Sequence, residues 1–259
     1  MSEALDPATA FDVLVERRGA VLELTFHRPE KRNALTHSMY AKLADALQLA
    51  NRDPELRAVM LTGFGDAFTA GNDLDDFLRP MPEGTPPVLR FLHALVDFDK
   101  PLLAAVNGLA VGIGLTMLLH CDLVFACSTA HFKAPFAEVG LIPEAASSLL
   151  LPATVGMAWA ADVLLAGREL SATEALKVGL VSRVLPHGML LPEARHVIDA
   201  VAAMPPQAMG RSKKLLRGDR QAVRARIAEE AALFLDQLQS AEFRDTVAAM
   251  RARRHAQSS

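Results

Sequence analysis

Cysteine is scarce. Cys121 and Cys127 are the two in 259 residues, and no second Cys/His pair stands at zinc spacing, which argues against a disulfide framework and a structural metal. A basic excess is missing too: 27 Lys and Arg against 30 Asp and Glu leave a net charge of −3. No broad surface for nucleic acid or anionic membrane is therefore expected. No apolar run is long or unbroken enough to span a bilayer, and the start, MSEALDPATAFD, lacks a basic stretch followed by an apolar one. HAQSS at the end is not a peroxisomal address of the S-K-L kind. These absences predict a cytoplasmic location. A G-K-[ST] triplet is also lacking, and GIGLT (112–116) has no third glycine at dinucleotide-fingerprint spacing, so nucleotide hydrolysis and hydride transfer lose their main support.

What is present fits a folded α/β protein: 51% apolar and 22% charged residues are ordinary for a globular chain with a rich core. Alternation of apolar and polar residues on both sides of Arg18-Gly19 predicts a β-hairpin. Met39, Leu43, Leu47 and Ala50 share one face of a helix that Thr36 would cap. AVMLTG, PLLAAVNG and DLVFAC read as strands, with GIGLTMLLH starting a helix between the last two. The segment RPMPEGTPP (79–87) carries four prolines in nine residues and predicts a surface excursion. Ser171 and Glu174 have capping-box spacing. From about Leu190 onward the chain reads as successive helices, giving a core over residues 1–195 and a helical region over 196–259.

Two stretches have the composition that lets backbone amides approach an anion: TAGND (69–73) and NGLAVGIG (107–114). Each precedes a predicted helix, whose first N–H groups lack internal partners. Two such donors aimed at one oxygen make an oxyanion hole; taken singly, either loop is as well explained by tight turns. In GLIPEAASSLLLP (140–152), Glu144 follows an apolar run and precedes a helix. From spacing alone it is either an acid satisfying the helix start or a base held among apolar neighbours.

The motifs RPEKRNAL (28–35), DAFTAGNDL (66–74), KPLLAAVNGLAVGIG (100–114), CDLVFACSTAHF (121–132), VGLIPE (139–144) and AGRELSATEALKVGLVSRVLP (166–186) stand in the order and spacing of the enoyl-CoA hydratase/isomerase, or crotonase, superfamily, which the chain resembles over roughly residues 11–205. The resemblance implies a crotonase-like spiral of ββα repeats with a C-terminal helical region, assembly as a homotrimer or dimer of trimers, and an acyl-CoA thioester as substrate, CoA being part of that substrate and no further cofactor being required. It also implies backbone donors at Asn72 and Ile113 for the thioester oxygen. The hydratases of this superfamily use two glutamates; the matching positions here are Thr116 and Phe136. A phenyl ring takes no proton, so hydration loses its acid/base pair.

PFAEVGLIPEAASS resembles the segment of monofunctional 3-enoyl-CoA to 2-enoyl-CoA isomerases in which one glutamate is the catalytic base, and this implies that role for Glu144, with Glu138 in reserve. Leu141, Ile142 and Ala145 would desolvate it and raise its pKa. For the CoA phosphates the resemblance points to Arg28, Lys31 and Arg32, with Ala70 beside the ligand; Lys213 and Lys214 are further candidates. Phe77, Phe91 and Phe136 are expected to influence acyl selection. His120, at a predicted helix end, could steady the negative pole but lacks a Ser/Asp partner and reads first as a satisfied structural histidine; Asp73 and Asp75 are candidates for capping the helix after the first loop. Another crotonase-type enolate reaction, or a silent relative that binds acyl-CoA or RNA, remains the alternative.

Overall fold

A computed structural model describes residues 12–77, 79 and 84–257. Residues 80–83 of the proline-rich excursion, the Phe77 side chain and the terminal residues 1–11 and 258–259 lie outside the described residues. The expected hairpin is β1 (Val13–Arg18) and β2 (Val21–Phe26), followed by α1 (His37–Arg52), whose N-cap Thr36 accepts the Met39 N–H. The capping box of Ser171 and Glu174 is also present, with both reciprocal bonds made.

The chain then repeats one plan. Each long buried strand turns a corner into a short one, and a helical segment closes the unit: β3 (Ala58–Gly63) and β4 (Ala67–Thr69) lead to α2 (Leu74–Phe77) and α3 (Pro87–Asp97). β5 (Leu102–Val106) and β6 (Leu109–Val111) lead to α4 (Ile113–Thr116), and β7 (Leu123–Cys127) and β8 (His131–Lys133) to α5 (Ser147–Val155) and α6 (Met157–Leu164). A last turn adds β9 (Leu170–Ser171), α7 (Ala172–Lys177) and β10 (Arg183–Leu185). The long strands form a six-stranded sheet, β1-β2-β3-β5-β7-β10, parallel after the opening hairpin; the short strands form a second sheet, β4-β6-β8-β9. This is the spiral of ββα units. Strands β3 and β5 are buried along their whole length, as expected of parallel strands covered on both faces.

The corners are tight. A Cβ on Gly108, between β5 and β6, would stand 2.0 Å from the Asp66 carbonyl oxygen, so the neighbouring corner leaves room only for glycine. Two buried asparagines tie these corners together. Asn33 donates to the Phe64 and Ala67 carbonyls at 2.9 and 2.7 Å, and Asn107 donates to Gly65 at 2.7 Å while accepting the Gly63 N–H at 3.1 Å. The C-terminal part is helical: α8 (His187–Ala202), α9 (Pro206–Arg217), α10 (Arg220–Leu238) and α11 (Ala241–Gln257). Helix α8 runs continuously through residues 195 and 196 and packs on β7, β3 and β5. No described helix is long and apolar enough to cross a membrane.

Candidate active site

The site forms where the second sheet meets the helices. Along the first loop, Leu35 pairs with Asn72 as an isolated parallel bridge: the Leu35 N–H goes to the Gly71 carbonyl at 2.8 Å and the Asp73 N–H to the Leu35 carbonyl at 2.9 Å. That pairing uses the amides on one side of the loop and turns the Asn72 N–H to the other. Gly71 makes the turn at φ +93°, where a Cβ would also press to 3.0 Å from the Val111 carbonyl oxygen. In the second loop the Gly112 N–H is taken by Lys133 at 2.8 Å, while Ile113 is the first residue of α4. A first helical residue has no carbonyl one turn back to receive its N–H. Among the described residues neither the Asn72 nor the Ile113 amide makes a hydrogen bond.

Both residues line one cleft of about 360 Å³ with Ala70, Phe136, Lys31 and Glu144. Each loop does lead into a helix, as its sequence predicts. These helices are four residues long, and α4 continues only as a 3-10 turn over Met117–His120. An anion bound in this cleft would therefore meet two directed N–H groups more than a helix dipole, since a macrodipole grows with aligned peptide units.

Glu144 is 8% exposed, and its Oε1 has no hydrogen-bond partner among the described residues. Burial, reinforced by the like charge of Glu230, pushes its pKa up to about 8. Leu141 and Ala145 stand beside it as the sequence suggested. The helix-start explanation of this carboxylate fails on geometry. The amides at the entrance to α5 are capped by Glu230 of α10, which accepts from Ala146 N at 2.6 Å, Ser148 N at 3.0 Å and Ser148 Oγ at 2.6 Å. Glu144 contributes only its backbone carbonyl, to Ser147 N at 3.0 Å.

A raised carboxylate pKa has a signed effect on stability. The contribution is fully present below the ordinary value of 4.5 and is lost as pH climbs to about 8. Glu144→Gln is therefore expected to be more stable than the wild-type protein, by a margin that widens by on the order of 3 kcal/mol between pH 5 and pH 8. Thermal unfolding of both proteins across that range checks it; a pH-independent margin would contradict it.

Other candidates fall into place or out of it. Thr116 and Phe136 are both buried, with Phe136 on the cleft wall and the Thr116 hydroxyl unpartnered among the described residues. Lys31 is exposed at the cleft mouth and Ala70 lines it. Arg28 is engaged by the protein and is not part of the cleft lining: its guanidinium binds Asp73 at 3.1 Å and the Ala34 carbonyl at 2.7 Å, with Asp12 at 3.6 Å. It anchors the loop that carries Asn72. Lys213 is likewise withdrawn, buried against Asp122 at 2.7 Å and donating to the Lys100 carbonyl at 2.6 Å; the ion pair ties α9 to the core.

Asp73 caps α2 through the Asp75 and Asp76 N–H groups, both at 3.1 Å, whereas Asp75 lines the cleft. Glu138 sits on the surface, paired with Lys133 at 2.9 Å. Phe91 packs on Tyr40, away from the cleft walls. His120 is no charge at a helix pole: burial lowers its pKa to about 4, and the neutral ring lies 2.8 Å from the Ala145 carbonyl. Two residues that sequence reasoning missed also act here, Glu230 and Tyr40, whose hydroxyl donates to the Asn72 side-chain carbonyl.

A ββα spiral with two free loop amides and a buried acid facing one cleft defines a crotonase-type protein. The chain belongs to the enoyl-CoA hydratase/isomerase family, whose model matches residues 16–257. Enoyl-CoA delta isomerase 2 of Rattus norvegicus is 39% identical over 79% of this chain and 54% of its own length, so the chain spans about half of that relative. The 2,3-dehydroadipyl-CoA hydratase of Escherichia coli (strain K12) is 34% identical over 86% of this chain and 89% of its own. The crystal structure of an enoyl-CoA hydratase/isomerase from Pseudoalteromonas atlantica T6c superposes with a TM-score of 0.91 at 51% identity, covering 93% of this chain and 97% of that one. Enoyl-CoA chemistry is the common ground of these relatives; isomerases and hydratases both occur among them.

Proposed function

We propose that the protein moves the double bond of a 3-enoyl-CoA to the 2-position, with Glu144 as the single acid and base. The observation that carries this reading is the placement of Glu144: a buried, unpaired carboxylate on the same cleft as the Asn72 and Ile113 amides, relieved of capping by Glu230. The thioester oxygen accepts those two N–H groups. Glu144 removes a proton from C2, the negative charge spreads over the dienolate and is held at the oxygen, and the protonated Glu144 returns the proton to C4. A carboxyl with its pKa near the working pH suits both halves of this exchange.

Hydration is disfavoured because Thr116 and Phe136 stand where hydratases of the family carry glutamates, and neither side chain is a carboxylate. CoA is part of the substrate, its phosphates meeting Lys31 at the cleft mouth. Exposed Leu215 and Leu216 on α9 favour burial in a homotrimer or dimer of trimers, and two free, buried cysteines fit a cytoplasmic setting.

The test offers purified protein trans-3-hexenoyl-CoA and trans-2-hexenoyl-CoA separately, following ultraviolet absorbance and product mass. Conjugation of the first without addition of water to either is expected; dominant water addition to the second would transfer the protein to the hydratases. The pH profile follows from the site. The base must be ionised in the free enzyme, so kcat/KM is expected to rise with pH and reach half its plateau near pH 8, the value to which Glu144 is raised; a flat profile between pH 6 and pH 9 would contradict the assignment.

A further inference from the structure

The two residues after Glu144 adopt a conformation that alanine disfavours. Ala145 has φ +61° and Ala146 φ +55°, a consecutive left-handed pair that places each Cβ too close to the following carbonyl. A left-handed conformation in two consecutive L-residues persists only where surrounding contacts impose it. Here two of those contacts meet on a single peptide group. The Ala145 carbonyl lies 2.8 Å from His120 Nε2, and the N–H of Ala146, the other end of the same peptide, donates to Glu230 Oε2 at 2.6 Å. His120 is neutral, so the contact requires its Nε2 to carry the proton and donate.

Glu230 is itself held. Its Oε1 accepts from Ser148 N and Ser148 Oγ, and Arg226 Nη1 donates to Ser148 Oγ at 3.0 Å. Glu230 and Glu144 line a common small apolar cavity between α3 and α10.

We infer that Glu230 and His120 are positioning residues that grip the 145–146 peptide from opposite ends, so that α10 fixes the direction in which Glu144 enters the cleft and sets a negative charge behind it. The inference rests on Glu144 being the acid/base of the proposed reaction. The groups facing Glu144 are Tyr40 from α1, Lys31, Asp73 and Asp75 at the cleft, His120 through its carbonyl contact, and Glu230 with Arg226 on α10. Of these, Glu230 is the like charge that adds to burial in raising the Glu144 pKa.

The test uses full-length protein labelled with 13C at glutamate carboxyls, the Glu144 resonance being assigned by its loss in Glu144→Gln. In Glu230→Gln an oxygen still accepts the Ala146 N–H but the charge is gone. The Glu144 titration midpoint is expected to fall by about one pH unit, and the acid limb of kcat/KM for trans-3-hexenoyl-CoA to fall with it. In Glu230→Asp the charge stays but the reach is short, so the midpoint holds while kcat drops severalfold at unchanged KM. An unmoved midpoint in Glu230→Gln, or wild-type kcat in Glu230→Asp, would overturn the inference. Should Glu230→Gln not fold, Glu230→Asp decides. A shifted midpoint in a protein inactive on 3-enoyl-CoA supports the charge set behind Glu144 while removing the isomerase reading.

Discussion

Replacing Glu144 with alanine is expected to lower kcat on trans-3-hexenoyl-CoA by about 10²–10⁴-fold, the range general acid–base catalysis supplies, with KM little changed. The size follows from having one proton carrier. Among the residues lining the cleft, Asp73 is engaged by Arg28 and the α2 amides, and Asp75 belongs to the first turn of α2, so neither is placed to take over. Binding should survive because, in the proposed reaction, the thioester oxygen and the CoA phosphates would be held by other groups. Steady-state kinetics of the two proteins check this, and a variant retaining more than about a tenth of wild-type kcat would leave Glu144 outside the chemistry.

The second large effect concerns a donor that no side-chain truncation can reach. Ile113 is the first residue of α4, the one helical position at which proline is well tolerated, since its N–H has no partner within the helix. Ile113→Pro should therefore keep the helix and delete the N–H. A kcat loss of about 10²–10³-fold is expected, as for removal of one oxyanion-hole donor. The Ile113 side chain is fully buried, so Ile113→Ala serves as the comparison: it also empties core volume but keeps the N–H, and the loss in the proline variant beyond the alanine variant measures the donor. Equal losses in the two would remove this amide from the mechanism.

The parts of the fold and site legible in the sequence are the ones governed by local rules. Strand alternation marks the opening hairpin, Thr36 marks the start of α1, and the loops around Asn72 and Ile113 announce themselves by their glycines and by the helix starts just beyond them. Glu144 was legible as a candidate, but its two explanations were separable only by a residue 84 positions beyond Ala146. Glu230 sits in RARIAEEAALF, where a charged pair on a long helix reads as a solvated face; its burial comes from docking α10 on the entrance to α5. The same physics misdirected the cations. Arg28 meets Asp73, 45 residues away, and Lys213 meets Asp122 and the Lys100 carbonyl just ahead of β5, so both are spent on tertiary contacts that no local pattern encodes. Tyr40 reads as a core residue of α1 and is one, yet its hydroxyl steadies Asn72.

The central claim is that one carboxylate carries the proton from C2 to C4. It is tested most directly with trans-3-hexenoyl-CoA deuterated at C2, by locating deuterium in the conjugated product after a single turnover in ordinary water. Because Glu144 is buried, exchange with solvent during the turnover should be incomplete, and deuterium is expected at C4. A C4 carrying only solvent hydrogen, at low and high pH alike, would mean that a second group delivers that proton, and the single-glutamate account would be wrong.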